Sequence, residues 1–161
     1  PQNRSKRKSP HRARHAAPPM PNRAVVDTNI LVSALLTPAG PPGAVAQAIR
    51  HGLLQPMVCA EIIEEYVDVL HRPRLALPPR DVDELITLLG AQAQWVRITP
   101  YMPILKLPDP GDWPFIAAAL AGNCPVITGN ARHFPKRLGM AAMTAREWVR
   151  RGAAGADPHA R

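Results

Sequence analysis

The sequence predicts an α/β domain in which helices cover both faces of a parallel sheet. Three observations carry that expectation. Short apolar runs alternate with stretches of helical periodicity along the chain, as in a wound parallel sheet. The first run, Ala24-Val25-Val26, is small or β-branched without interruption, as a strand buried on both faces should be. The 161 residues suffice for one domain with a real core. Neither a Gly-x-Gly-x-x-Gly nor a Walker lysine motif occurs, which argues against the usual nucleotide-cofactor folds.

Each element has its own signal. Residues 1–22 are rich in Pro, Arg, Lys, Ser and His and lack the apolar side chains to build a core. The expected division is a disordered basic tail over 1–22, the domain over 23–150 and a second tail over 151–161. The strand over 24–26 runs into Asp27 and then into the helix formers Leu31, Ala34, Leu35 and Leu36. Thr37 to Gly43 is a turn-rich break. A second helix is expected over roughly 43–51, with Val45, Ala48 and Ile49 on one side and Gly52 as its C-cap. Leu53 to Val58 reads as a second strand. Glu61 to His71 is clearly helical, and Arg72-Pro73 ends it.

After a Pro-bearing loop over 74–79, Arg80 or Asp81 opens a helix through Ala93, with Val82, Leu85, Ile86, Leu88 and Leu89 as its apolar set. Trp95 to Ile98 is a third strand, Thr99 to Gly111 is irregular, and Pro114 to Ala121 is an alanine-rich helix. Pro125 to Thr128 is a fourth strand and Met140 to Met143 a fifth. Ala145 to Arg151 forms the last helix, with Thr144 as its N-cap, and Gly152 to Arg161 is a frayed end.

Composition excludes several classes. No stretch approaches 18 uninterrupted apolar residues, so no membrane span is expected, and no apolar run follows the basic N-terminus to make a secretory signal. Cys59 and Cys124 lie singly in apolar company; they form neither a zinc signature nor a disulfide framework and read as buried free thiols of a cytoplasmic protein. The net charge of +8 is concentrated at one end: residues 1–19 hold six basic residues and no acid, leaving only +2 for the remainder. A basic arm that touches RNA phosphates is one use for that end; an extension upstream of a start at Met20 is the other.

The acids carry more information than the net charge. Asp27 stands at the carboxyl end of the first strand, where open α/β sheets place their ligand sites. On the helix from Glu61, the residues Ile62, Ile63, Tyr66, Val69 and Leu70 fall on one stripe, and Glu61, Glu64 and Asp68 form an opposite, solvated face. Glu65 lies about 40° from Val69, at the edge of the buried stripe, and is the acid of that helix placed to reach Asp27. Asp112 precedes a helix with Pro114 in its first turn, so it reads as an N-cap, and also as a carboxylate presented at the sheet edge. Asp109 is a supplementary ligand or a partner of Asp112. Val126-Ile127-Thr128-Gly129-Asn130 repeats the pattern of buried strand, polar residue and turn, which puts Thr128 and Asn130 beside Asp27 if the strands are neighbours.

Val26-Asp27-Thr28-Asn29 after a strand, Glu65-Tyr66 in a helix ending near Leu70-His71-Arg72-Pro73, Asp109-Pro110-Gly111-Asp112 before an Ala-rich helix, and Val126 to Asn130 together resemble the PIN-domain ribonucleases. More narrowly they are similar to the bacterial PIN-family toxins of toxin–antitoxin pairs, VapC-like in the broad sense. The resemblance spans about residues 23–149. It implies a three-layer α/β/α fold, with a parallel sheet of four to five strands and an acidic pocket at its edge. It also implies metal-dependent hydrolysis of RNA phosphodiester bonds, a cognate antitoxin partner and a homodimer. Asp27, Glu65 and Asp112 match the family's three core acids, and Asn130 stands where many members have a fourth.

Three close carboxylates repel one another unless a cation joins them. Hard oxygen donors select Mg²⁺ or Mn²⁺, no His or Cys cluster competes, and Asp109 is the expected compensation for Asn130. Water is then the expected nucleophile, leaving a 5′-phosphate and a 3′-hydroxyl. Thr28, Asn29 and Thr128 are candidates to hydrogen-bond the carboxylates or a phosphate, and Ser33 is a weaker one. Arg132 is a phosphate-binding candidate, whereas His133, beside Phe134-Pro135, reads as a surface or packing residue. Asn130 and the basic tail support one alternative, a PIN-like RNA-binding or interaction module that has lost catalysis, and a third reading is a metal-dependent nuclease of RNA maturation or DNA processing.

Overall fold

A computed structural model describes residues 22–155, with side-chain surroundings given for 23–152. The basic tail expected over 1–22 thus lies almost wholly outside the described residues. Eleven elements follow in chain order: β1 (Asn22–Val26), α1 (Thr28–Leu36), α2 (Pro41–Arg50), β2 (Leu54–Val58), α3 (Ala60–Leu70), α4 (Pro79–Gln92), β3 (Gln94–Trp95), α5 (Trp113–Gly122), β4 (Val126–Ile127), β5 (Ala142–Met143) and α6 (Ala145–Gly155). The five strands form one sheet in the order β3-β2-β1-β4-β5, with every pair parallel.

β1 lies at the centre. Ala24, Val25 and Val26 are all fully buried, and since successive strand residues face opposite sides, both faces of the sheet are covered. The result is a three-layer α/β/α arrangement. The chain moves outward from β1 through β2 to β3, then returns to the other side of β1 as β4 and continues to β5. The direction therefore reverses between β1 and β4, and the crevice outside their carboxyl ends is where such sheets bind ligands. Register fixes that edge: Val26 pairs with Ile127, and the Asp27 amide donates to the Ile127 carbonyl at 2.9 Å.

Several boundaries differ from expectation for local reasons. α2 starts at Pro41 rather than residue 43, because prolines are well tolerated in a first helical turn. It ends as expected: Gly52 has φ +69°, and the amides of Gly52 and Leu53 donate to Ile49 and Ala48 in a Schellman cap. β3 is a two-residue edge strand, Gln94–Trp95, and not the run from Trp95 to Ile98. β5 likewise shortens to Ala142–Met143, and α6 continues to Gly155 where a frayed end was expected from Gly152. Thr144 caps α6 within a reciprocal box: its Oγ1 accepts from the Glu147 amide at 3.2 Å, and Glu147 accepts from the Thr144 amide at 2.7 Å.

Close packing imposes one glycine. A Cβ on Gly43 would stand 1.8 Å from the Pro38 carbonyl oxygen, so the α1–α2 turn folds against α2 only because no side chain is there. Both cysteines are free thiols, Cys59 buried and Cys124 half-buried, and burial pushes each up to about 11. Among the described residues no helix is long and apolar enough to cross a membrane.

Candidate metal centre

The carboxyl ends of β1 and β4 open into a cleft of about 730 Å³. Asp27 ends β1 and caps α1, its Oδ1 accepting from the Asn29 amide at 3.4 Å. Its other oxygen, Oδ2, accepts from the buried Thr128 hydroxyl at 2.6 Å, a contact between the ends of two neighbouring strands. Asn130 completes that turn by donating its backbone amide to the Thr128 Oγ1 at 3.0 Å. Thr28, buried on α1, donates its hydroxyl to Glu65 Oε1 at 2.6 Å and so ties α3 to the sheet edge. Below it, the fully buried Tyr66 donates to the Val26 carbonyl, which anchors α3 on β1 one residue before Asp27. Burial pushes the Tyr66 phenol well above its ordinary range, so it stays a donor.

The second side of the cleft comes from the Pro-rich loop before α5. Trp113 holds that loop, donating Nε1 to the Thr99 carbonyl at 2.7 Å and packing on the Tyr101 ring at a centroid distance of 6.0 Å. Asp109 accepts from the Gly111 amide at 2.8 Å and turns the chain through Pro110–Asp112. Asp112 does not act as the side-chain N-cap of α5 that its position suggested: its own backbone is already helical, and its carboxylate makes no capping bond. Instead Oδ2 lies 3.1 Å from Nδ1 of His133. Burial first, and then the Asp109 charge, raise Asp112 from 3.8 to about 6. Burial likewise raises Glu65, against the lowering effect of the Thr28 hydrogen bond.

Asp27, Glu65, Asp109, Asp112 and Asn130 thus line one cleft, with Thr28 and Asn29 beside them. Thr128 supports Asp27 from behind; Arg132 and Ser33 do not line the cleft. Two readings from sequence are corrected. Glu61, Glu64 and Asp68 do not face open solvent alone but line the same cleft, because the 3.6-residue period separates buried from unburied and does not distinguish bulk water from a crevice. His133 is no mere surface or packing residue. A 3₁₀ turn over Ala131–His133 brings it back above Asn130 and against Asp112. The side-chain ligand atoms of Asp109, Asp112 and His133 lie within 4.8 Å of one another, so a histidine-containing group does exist here. No periodicity in Ala131-Arg132-His133 signals that turn in the sequence.

Charge decides what such a cleft can hold. Seven carboxylates line it against two guanidinium groups, Arg72 and Arg74, and Arg72 is paired to Asp68 at 2.6 Å. Hard oxygen donors with unbalanced negative charge suit a divalent cation. A family model for the PIN domain matches residues 23–132, about two thirds of the chain. No curated protein shows a significant match.

Proposed function

Because the chain belongs to the PIN-domain family, whose fold is of nuclease type, we propose that it is an endoribonuclease dependent on Mg²⁺ or Mn²⁺, the toxin of a toxin–antitoxin pair. The observation that carries this reading is the convergence of Asp27, Glu65, Asp109 and Asp112 on one cleft at the strand-order reversal. The donor set fits the ion: the four are hard oxygen ligands, and burial raises the pKa of Glu65 and Asp112, so a cation beside them would offset buried negative charge. These four residues would hold the ion. When bound it would lower the pKa of a water, polarise the scissile phosphate and stabilise the leaving oxygen.

The protein's own groups do the positioning. Thr128 and Thr28 each fix one oxygen, of Asp27 and of Glu65 respectively, and so hold both carboxylates in place at the cleft. Arg72 and Arg74 stand at the cleft wall as the groups suited to phosphate oxygens. Cleavage in the cytoplasm, a homodimer and inhibition by a cognate antitoxin belong to the same reading and rest on the family resemblance.

Purified chain incubated with RNA and Mn²⁺ or Mg²⁺ should yield fragments bearing 5′-phosphates, and Asp27→Asn should abolish them. Induced expression should arrest growth, and the same substitution should relieve it. Asn130 in the cleft favours a second reading, an RNA-binding module with weakened catalysis. RNA binding with no cleavage under either metal would select that reading over the first.

A further inference from the structure

Building on the nuclease reading, we infer that His133 is itself a metal ligand, so that the site takes a mixed nitrogen–oxygen ion and prefers Mn²⁺ to Mg²⁺. Two contrasts point there. The first is between the two sides of the cleft. Asp27 and Glu65 each have an oxygen engaged by a threonine hydroxyl and Asp109 one engaged by the Gly111 amide, whereas Asp112 meets the His133 imidazole, and the ligand atoms of Asp109, Asp112 and His133 all lie within 4.8 Å. An octahedral ion with bonds of about 2.1 Å places adjacent donors about 3.0 Å apart and opposite ones about 4.2 Å apart. The 3.1 Å between His133 Nδ1 and Asp112 Oδ2 is the adjacent spacing, so these two atoms can share one ion, with Asp109 close beside them.

The second contrast is chemical. The cleft has a neutral amide at Asn130, and His133 follows it by one 3₁₀ turn, placing an imidazole at the same wall. Imidazole is a softer donor than carboxylate, and at nitrogen-containing sites affinity rises along the first transition series. Mg²⁺ gains little from such a donor and dehydrates reluctantly. The alternative role, an Nδ1–H that merely steadies Asp112, gives no nitrogen bond to the ion and no such preference.

Mn²⁺ bound to the full chain tests this by pulsed electron paramagnetic resonance, which detects ¹⁴N coupling from a coordinated imidazole in the unsubstituted protein. The expected result is a ¹⁴N signal that disappears in His133→Ala. Calorimetric titration should show that substitution weakening Mn²⁺ by about tenfold or more, with a smaller change for Mg²⁺. His133→Asp should narrow the preference between the two ions, since it restores an oxygen donor. Mn²⁺ binding without ¹⁴N coupling, or coupling that persists in His133→Ala, overturns the inference and leaves the nuclease reading standing. A chain that binds neither ion and cleaves no RNA overturns both.

Discussion

Thr128 shows how much a single hydroxyl controls. It is fully buried, donates to Asp27 and accepts from the Asn130 amide, so Thr128→Val removes two bonds while keeping shape. Metal affinity, measured by titration, should fall about 10- to 100-fold with the fold intact. Asp112 has the opposite stability balance. Its folded pKa of about 6 lies above its ordinary 3.8, so the folded state binds the proton more tightly. That favours folding at low pH, fades as pH rises through about 6, and leaves the ionised group a cost above it. In EDTA-treated protein, Asp112→Asn should therefore raise the melting midpoint at pH 8 by a few degrees, on the order of 1 kcal/mol, and the gain should vanish near pH 4. Asp27 was legible from sequence because a carboxylate directly after a buried strand is rarely elsewhere than at the sheet edge. His133 was not, since Ala131-Arg132-His133 has no periodicity to announce a 3₁₀ turn.

Elements were legible where apolar spacing had enough length to repeat. α3 and α4 show this, with Ile62, Tyr66 and Leu70, and Val82, Leu85 and Leu89, buried as their periods required. The two-residue strands β3 and β5 had no such length, and neighbouring strands rather than local sequence set their ends. Glycine separates two kinds of helical position. Gly43→Ala in α2 drives a Cβ into the Pro38 carbonyl, so it should destabilise by at least roughly 1–3 kcal/mol in denaturant titration. Gly90→Ala in α4 meets nothing within 4 Å and should instead stabilise by roughly 0.5–1 kcal/mol. The same exchange thus has opposite signs in two helices of one sheet layer system, which only the packing reveals.

At the scale of the molecule, the acidic cleft links stability to metal. An ion that binds only the folded chain adds about 2.7 kcal/mol at a hundredfold excess over its dissociation constant, or roughly 5–10 °C in the melting midpoint. Mn²⁺ should produce that rise in calorimetry, EDTA should reverse it, and Asp27→Asn should remove it. The overall architecture was legible because five apolar runs are interspersed with six helical stretches. The strand order was not, since nothing in Val126-Ile127 states that it returns to lie beside Val25-Val26.

That return has a consequence for synthesis. The hydrogen bond from Thr128 to Asp27 closes a gap of 101 residues. At roughly 5–20 residues per second, a ribosome needs on the order of 5–20 seconds to pass from one to the other. Throughout that interval the first acid is translated but its strand lacks its β4 neighbour, and the cleft has neither its Asn130 nor its His133 wall. The edge of the cleft therefore cannot close until Thr128 and His133 have been made, long after Asp27.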